Sequence, residues 1–468
     1  MKPITLQQVR LAVAGRSIGM LRQNMPPVLA VCTDTRQMQP QSLFVALRGE
    51  RFDGHDYLPQ ARAGGAIAAV VERDVRDVPD GLTLIRTDDT RKALGRLAGF
   101  VRKQLAATKV IAVAGSNGKT TTKHLVHAVL STKLRGTHSP KSYNNDIGVP
   151  LTIFAADPAH DYVVLELGTN HPGEIRNLAE MSLPDIAVIT NCSAEHLEGL
   201  GDLAGVRREN AEIVHGLGSR STLIVNGDDL GLLEAVGACR AKRITFGTRS
   251  DCDLVATEIV TDAIGTRFRL NGARQELSVP LIGRHNALNA LAAVAVARRL
   301  GLSEEQIVRG LRNVAGPDMR MQLREVAGVH LLNDAYNANP ASMRAALETV
   351  RDLQLGQRKL AVLGEMLELG ETHVAHHREI GALLPGCRLD RVACVGAGGK
   401  IIADAAEQNG FPTSRIARFE NARACADVLP TWLADGDLVL LKGSRGVHLE
   451  LVADAIVARR TAPARKAS

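Results

Sequence analysis

The residues best equipped for chemistry stand between Gly115 and Thr121, where the chain reads Gly-Ser-Asn-Gly-Lys-Thr-Thr. A phosphate asks for such a run. Gly115 and Gly118 let backbone N–H groups approach closely around Ser116 and Asn117, Lys119 brings a point charge, and Thr120 and Thr121 bring hydroxyls, of which Thr120 suits Mg²⁺. The run is shorter than the general G-x-x-x-x-G-K-[ST] pattern, because only Ser116 and Asn117 separate the two glycines. A glycine turn capping a core helix, with Lys119 solvated, is the competing reading. The threonines count against it, since β-branched residues start helices poorly unless their hydroxyls are used.

Other polar residues fall where a bound nucleotide would need them. A Mg²⁺ held by one threonine requires further ligands, and an open parallel sheet supplies these from the carboxyl ends of neighbouring strands. DYVVLELGTN places Glu166 at such an end, and DIAVITNCSAEHLEGLG delivers Asn191 and then His196. Singly these read as an edge carboxylate and a loop histidine; together, beside a phosphate loop, they read as metal ligands. Asn144 and Asn145 in KSYNNDIGVP, and Arg284, His285, Asn286 and Asn289 in GRHNALNA, either cap turns and helices or read a sugar, peptide or adenine edge. Asp334, Tyr336, Asn337 and Asn339 in NDAYNANPASM crowd a strand end ahead of Pro340, which suits a helix start. VLGEMLELG leaves Glu365 and Glu368 at the mouth of another strand. His373, His376 and His377 have helical metal spacing, but no cysteine or clear carboxylate completes a zinc set.

Such residues need a scaffold, and apolar runs of strand length alternate with helical patterns through most of the chain, the mark of α/β architecture. Three blocks are expected: 1–106, 107–314 and 315–468. The first holds short strands at 30–32, 42–47, 66–72 and 82–86 and a helix at 89–105, and 106–109 reads as a linker. The second holds strands at 110–114, 135–139, 162–167, 185–190 and 221–225, then a stretch of period two at 253–280 that suggests an antiparallel appendage, then a helix at 286–300. Gly316 and Pro317 break the chain before a doubly wound block with strands at 329–333, 359–363, 391–395 and 437–441. The fold class is therefore α/β in three domains: a small N-terminal one, a central P-loop-type domain with a mainly parallel sheet, and a C-terminal Rossmann-like domain.

With 468 residues and 45% apolar composition the chain can fill several cores. No apolar run approaches the roughly 20 residues that span a bilayer, and the first residues lack a leader pattern, so no membrane insertion and a cytoplasmic location are expected. Seven scattered cysteines without C-x-x-C spacing argue against disulfides and zinc, and most read as small core residues. The formal charge of +7 includes the tail RRTAPARKAS, expected to be disordered from about 461. Aromatics make up 3%, too few for a stacking platform, so anionic small molecules and not nucleic acid are the expected partners.

At this point the chain resembles the Mur ligases of bacterial cell-wall synthesis over nearly its whole length. AGSNGKTTTK is the short loop that family uses, and ELGTNHPGEI, TNCSAEHLEGLG, GRHNALNA and KGSR at Lys442 to Arg445 match in order and spacing. YNANPASM with GEMLELG and His377-x-x-x-Gly381 is similar to the branch that adds D-alanyl-D-alanine to UDP-N-acetylmuramoyl-tripeptide. DTRQMQPQSLFVALRGERFDGHDY resembles the uridine-diphosphate-binding domain shared with the tripeptide-forming sibling, the alternative assignment along with a folylpolyglutamate-type ligase.

The resemblance implies an ATP- and Mg²⁺-dependent amide ligase, expected to act as a monomer. It implies ATP phosphates on Gly115 to Thr121, Mg²⁺ on Thr120 and Glu166, and a second metal on His196. Asn286 and Asn289 would lie near adenine and Arg320 near the transferred phosphate. Asn144, Asn145 and Thr169 would face the nucleotide-peptide, and Thr35, Arg36, Phe44, Ala46, Asp53, Gly54 and His55 the uridine. Asp334, Tyr336, Asn337 and Asn339 would shape the dipeptide site. Two departures stand out. Siblings carry a carbamylated lysine that helps hold the second metal, and here Asn210 in RRENAEIV takes that position, where an amide forms no carbamate. Ser142 stands where many relatives have asparagine.

Overall fold

The computed structural model describes residues 1–18, 25–271 and 275–461; the tail from 462 onward, expected above to be disordered, lies outside them. Each block builds one sheet. The first contains β1 (Arg16–Ile18), β2 (Ala30–Cys32), β3 (Ser42–Val45), β4 (Ala66–Val71) and β5 (Thr83–Arg86), in the order β1-β5-β4-β3-β2. β2 to β5 run parallel and β1 pairs antiparallel with β5. Helix Thr90–Gln104 follows, its start fixed by Asp89, whose carboxylate accepts from the N–H groups of Arg91 and Lys92. Ala93, Leu94, Leu97, Ala98 and Val101 lie at helical spacing and are buried, and the same helix ties the first block to the second through Arg102, which donates to the Ser182 carbonyl at 2.9 Å and pairs with Asp185 at 2.9 Å.

The second sheet contains β6 (Lys109–Ala114), β7 (Gly136–His138), β8 (Tyr162–Glu166), β9 (Ile186–Ile189), β10 (Thr222–Asn226), β11 (Lys242–Gly247), β12 (Leu254–Thr261), β13 (Thr266–Leu270) and β14 (Glu276–Val279), in the order β14-β13-β12-β11-β10-β9-β6-β8-β7. From β7 to β12 the strands are parallel, and β12, β13 and β14 form the antiparallel appendage that the period-two pattern implied. After β6 the chain goes to β7 and β8 on one side, then crosses to β9 on the other. The carboxyl end of β6 is thus a topological switch point, where open α/β sheets bind ligands.

The third sheet holds β15 (Gln322–Val326), β16 (Val329–Asp334), β17 (Lys359–Leu363), β18 (Arg391–Val395), β19 (Ile416–Phe419) and β20 (Leu438–Lys442), in the order β15-β16-β20-β17-β18-β19. All are parallel except β15, which forms a hairpin with β16.

The structure differs from the sequence reading at a few elements, each for a physical reason. β1, β15 and β19 are partly exposed strands at sheet edges, and β11 opens on exposed Lys242 and Arg243, so none shows a continuous apolar run. Lys109 belongs to β6 and not to the linker. β20 begins one residue later than expected because Asp437 turns its carboxylate to Arg358 and to the Ala434 N–H. Cys252, Cys387, Cys394 and Cys425 are buried, and all seven cysteines are free thiols. Among the described residues no helix is long and apolar enough to cross a membrane.

Candidate functional site

β6 ends at Ala114, the backbone turns through Gly115 (φ 123°), Ser116, Asn117 and Gly118 (φ 83°), and the helix Lys119–Leu130 begins. Both glycines are required twice over. Their φ values lie where side chains are strained, and a Cβ would collide with Thr190 Oγ1 at Gly115 and with Asn289 Oδ1 at Gly118. The end of β9 clamps the loop. Ser116 N donates to the Asn191 carbonyl at 2.7 Å and Asn117 N to Asn191 Oδ1 at 3.1 Å, while Thr190 Oγ1 and Asn191 Nδ2 donate to the Asn117 carbonyl at 2.7 and 2.8 Å. Lys119 folds over the loop onto the carbonyls of Gly115 and Ser116. The result is a rigid helix N-terminus opening on a cavity of about 940 Å³ at the meeting of the three blocks.

Two oxygens in that cavity bear on a cation. Thr120 Oγ1 is buried with no hydrogen-bond partner among the described residues, a state that costs about 1–3 kcal/mol unless something binds it. Glu166, at the end of β8, is 1% exposed. Burial would raise its pKa, but Lys123, then Arg320 and Lys119, more than offset that, and its carboxyl is held below the usual value. Lys123 Nζ reaches Glu166 Oε2 at 3.0 Å from a fully buried position, and burial lowers its own pKa against the pull of Glu166. Asn144 Nδ2 donates to Glu166 Oε1 at 3.2 Å. Glu166 is therefore an oriented, ionised carboxylate, and with the free hydroxyl of Thr120 it fits a hard divalent cation.

The third block closes the cavity through side chains that meet the loop. Asn339 caps the helix Pro340–Asp352, its Oδ1 accepting from Ser342 N at 2.8 Å, and its Nδ2 donates to Asn117 Oδ1 at 2.9 Å. Tyr336 donates its hydroxyl to Ser142 Oγ at 2.7 Å, and the Arg320 guanidinium lies over the Tyr336 ring 4.1 Å from its centroid. Asp334 pairs with buried Lys442 at 2.8 Å, and Lys442 also donates to the Asn337 carbonyl at 2.8 Å. His196, in the left-handed region (φ 51°), has Nδ1 against Glu368 Oε2.

The expected site residues thus fall into two groups. Ser116, Asn117, Gly118, Lys119, Thr120, Thr121, Asn144, Asn145, Glu166, Thr169, His196, Asn286, Asn289, Arg320, Asp334, Tyr336, Asn337 and Asn339 all line the one cavity, while Gly115 shapes the turn behind it without being part of the lining. Some have a second occupation there. Asn145 Oδ1 accepts from Ile147 N at 3.2 Å and from Gly148 N at 2.9 Å, in the turn that leads into the helix Gly148–Ala155. Asn286 and Asn289 bond each other at 3.0 Å, and Asn289 also accepts from Thr122 at 3.3 Å. The Thr169 hydroxyl has the His171 carbonyl, Glu209 and Glu174 within 2.9–3.2 Å, three acceptors for one proton.

Thr35, Arg36, Phe44, Ala46, Asp53, Gly54 and His55 gather instead around the carboxyl ends of β2 and β3, away from that cavity. Phe44, Ala46, Gly54 and His55 are buried. Arg36 is exposed and paired with Asp34 at 2.7 Å. The His55 ring is used internally, Nδ1 against Asp53 Oδ1 at 2.5 Å and Nε2 accepting from Glu72 N at 3.0 Å. His377, from the histidine run, is likewise a strut: Nδ1 donates to the His373 carbonyl at 2.7 Å and Nε2 accepts from Met366 N at 2.9 Å.

Sequence reasoning missed Lys123 and Glu195. Lys123 lies four residues after Lys119 on one helix face, a spacing that could have signalled a second cation facing Glu166. Glu195 stands beside His196 in the cavity wall. Asn210 does not reach the cavity: its Nδ2 donates back to the Val206 carbonyl at 2.9 Å and its Oδ1 is buried without a partner among the described residues.

Comparison with known proteins matches each block to a family description. These are Mur ligase family, catalytic domain, over residues 28–102; Mur ligase middle domain over 113–297; and Mur ligase, glutamate ligase domain, over 319–445. The chain is 38% identical over 421 residues to the UDP-N-acetylmuramoyl-tripeptide--D-alanyl-D-alanine ligase of Bacillus subtilis, covering 90% of this chain and 91% of that protein. Its structure is similar to crystal structure I of MurF from Acinetobacter baumannii, with a TM-score of 0.87, 33% identity, and coverage of 97% of this chain and 99% of that one. MurF from Thermotoga maritima in complex with ADP aligns with a TM-score of 0.81 and 26% identity, covering 93% and 99%.

Proposed function

This chain belongs to the Mur ligase family, and from that we propose that it uses ATP to join D-alanyl-D-alanine to the terminal carboxylate of UDP-N-acetylmuramoyl-tripeptide. The observation that carries the reading is the convergence on one cavity of a clamped phosphate loop, an ionised carboxylate beside an unpartnered hydroxyl, and the polar end of β16.

Amide formation from a carboxylate needs an activated carbonyl. A carboxylate oxygen of the tripeptide attacks the γ-phosphorus of ATP, the bond to ADP breaks, and an acyl phosphate results. The dipeptide amine then attacks the carbonyl carbon, loses a proton, and phosphate departs from the tetrahedral intermediate. Bringing a carboxylate to a triphosphate is costly: like charges ~4 Å apart repel by about 4 kcal/mol at an effective dielectric of ~20. Lys119, from the loop, and Arg320, braced over Tyr336, are the cations placed to offset that repulsion. Thr120 and Glu166 would hold Mg²⁺, which when bound adds charge neutralisation at the phosphates. Asn117, bridged to Asn339, keeps the third block over the loop, where it shields the acyl phosphate from water.

In this reading Asn286 and Asn289 lie toward adenine, and Asn144, Asn145 and Thr169 toward the nucleotide-peptide. Asp334, Tyr336, Asn337 and Asn339 face the dipeptide, and the cluster at the ends of β2 and β3 faces uridine. In this reading the reaction runs in the cytoplasm and the chain acts as a monomer. ADP release tests the proposal. With ATP and UDP-N-acetylmuramoyl-tripeptide, turnover should require D-alanyl-D-alanine; full turnover without it, or with a free diamino acid or glutamate in its place, would assign the chain elsewhere.

A further inference from the structure

The stretch between β8 and the helix Glu174–Ser182 puts Thr169, Asn170, His171 and Glu174 into the cavity wall, and one buried carboxylate behind it holds the stretch in place. Glu209, on the helix Leu203–Ala211, is 4% exposed and lies outside the cavity lining. The helix Glu174–Ser182 starts after Gly173 (φ 87°), which has no side chain to cap it. Glu209 does so from another element: Oε2 accepts from Gly173 N at 2.7 Å and Oε1 from Ile175 N at 2.8 Å. A helix cap needs no more than that. Yet Oε1 also stands 3.1 Å from the Thr169 hydroxyl.

The surroundings of that hydroxyl fix its polarity. Besides Glu209 Oε1, Thr169 Oγ1 has the His171 carbonyl at 2.9 Å and Glu174 Oε2 at 3.2 Å. Glu174 Oε2 accepts from Asn170 N at 2.6 Å and His171 N at 3.1 Å, just as Glu209 accepts from Gly173 N and Ile175 N, so both carboxylates are held as acceptors. Among the described residues, every hydrogen-bonding neighbour of Oγ1 therefore accepts. A hydroxyl has one proton and two lone pairs, so the proton is committed inward and the cavity is offered a lone pair only. A substrate group that donates finds a partner there, and one that only accepts does not.

We propose that Glu209 is a positioning residue for the substrate: it orients the Thr169 hydroxyl to accept a hydrogen bond from an N–H or O–H of the nucleotide-peptide. The inference rests on the ligase reading, in which Thr169 faces that substrate. Donors of this class are the peptide amides and the acetamido N–H and hydroxyl groups of the muramoyl sugar. Among the described residues neither Thr169 nor Glu209 bonds the phosphate loop, so the effect belongs to the nucleotide-peptide and not to ATP.

The test is calorimetric titration of the full chain with UDP-N-acetylmuramoyl-tripeptide in the presence of a non-hydrolysable ATP analogue. Thr169→Val, which keeps the shape and loses the oxygen, should raise the dissociation constant about 3- to 10-fold, and Thr169→Ser should stay within about twofold of wild type. Glu209→Gln turns one acceptor into a donor beside Gly173 N or Ile175 N and should raise it by a comparable factor. In the Thr169→Val background Glu209→Gln should add less than about twofold, because its effect on binding passes through the hydroxyl, whereas a plain helix cap would cost the same in both backgrounds. Affinity for the ATP analogue alone should stay within about twofold throughout. UDP-N-acetylmuramic acid as ligand locates the donor: a Thr169→Val loss shared by both ligands places it on the sugar, and one confined to the tripeptide places it in the peptide. A Glu209→Gln loss undiminished in the Thr169→Val background, or a parallel loss of ATP-analogue affinity, would overturn the inference. Equal binding by Thr169→Val and wild type would overturn it whether or not Glu209→Gln folds. Failure of the ligase reading would show separately, as wild-type ADP release that does not depend on D-alanyl-D-alanine.

Discussion

Replacing Lys123 with methionine would leave Glu166 buried beside the phosphate loop without its nearest cation. At the observed 3.0 Å, and an effective dielectric of ~20, the pair attracts by about 5–6 kcal/mol. Desolvating two ions costs several kcal/mol each, so the pair as a whole adds little to stability. Removing one half is another matter, because the remaining charge keeps its desolvation cost and loses the attraction; such changes cost about 3–5 kcal/mol. For a block of roughly 200 residues, that lowers the melting temperature by about 6–20 °C. Lys123→Met and Glu166→Gln should each be destabilised on this scale, and the double variant should be more stable than either single one. Differential scanning calorimetry of the four proteins gives the comparison. A melting temperature within about 2 °C of wild type for Lys123→Met, or a double variant no better than the worse single one, would refute the view that these charges are buried as a coupled pair.

Gly118→Ala places a Cβ against Asn289 Oδ1 at a φ of 83°, so nucleotide affinity measured by calorimetry should fall at least about tenfold, and an unchanged value would remove the steric argument. Tyr336→Phe and Ser142→Ala each break one hydroxyl bridge worth about 0.5–1.5 kcal/mol, so each should lower kcat/KM about 2- to 10-fold. Their double variant should be no worse than the worse single one, and additive losses would show that the two hydroxyls act apart. His377 is held by burial at about 4, below its ordinary value of 6.5. The unfolded chain therefore takes up a proton first as pH falls, and stability is lost between about pH 6.5 and 4, by about 2 kcal/mol from pH 7 to pH 5. Urea unfolding followed by the single tryptophan, Trp432 in the third block, should show that loss in wild type and a smaller one in His377→Gln; equal slopes would rule out His377 as its source.

The part of the site that was legible before the structure was the part made of local signals. An apolar run, a glycine turn and a helix from Lys119 locate the phosphate loop by themselves, and Glu166 follows because a strand end points where the loop points. Pro340 was readable as a helix start, and the structure begins a helix there, with Asn339 as its cap. What sequence does not carry is the partner of each polar group. Lys123 reads as one more lysine on a helix until its exposure of 0% and the distance to Glu166 are known. Asn144 and Asn145 are alike in sequence, yet one holds a carboxylate and the other accepts from the N–H groups of the turn at Ile147 and Gly148, a difference set by which faces the end of β8. The strands that escaped notice are those whose exposed positions dilute the apolar pattern, as in β1, β15 and β19.

Contacts between distant segments also show how the three blocks act together. Asn339 meets Asn117 on the loop, Tyr336 meets Ser142 while bracing Arg320, and Glu368 meets His196. Each bridge ends on a residue next to the proposed chemistry, so docking the third block assembles the site and excludes water in the same motion. Two of the bridges are neutral hydrogen bonds, worth about 0.5–1.5 kcal/mol each, and the third joins the His196 ring to the Glu368 carboxylate. Apolar packing adds to them, because Leu197, Leu200 and Val206 of the second block share a buried cluster with Met343, Leu347 and Met366 of the third. The closed arrangement is therefore held by buried apolar surface, whose burial is the larger contribution, with the polar bridges fixing where the reacting side chains stand.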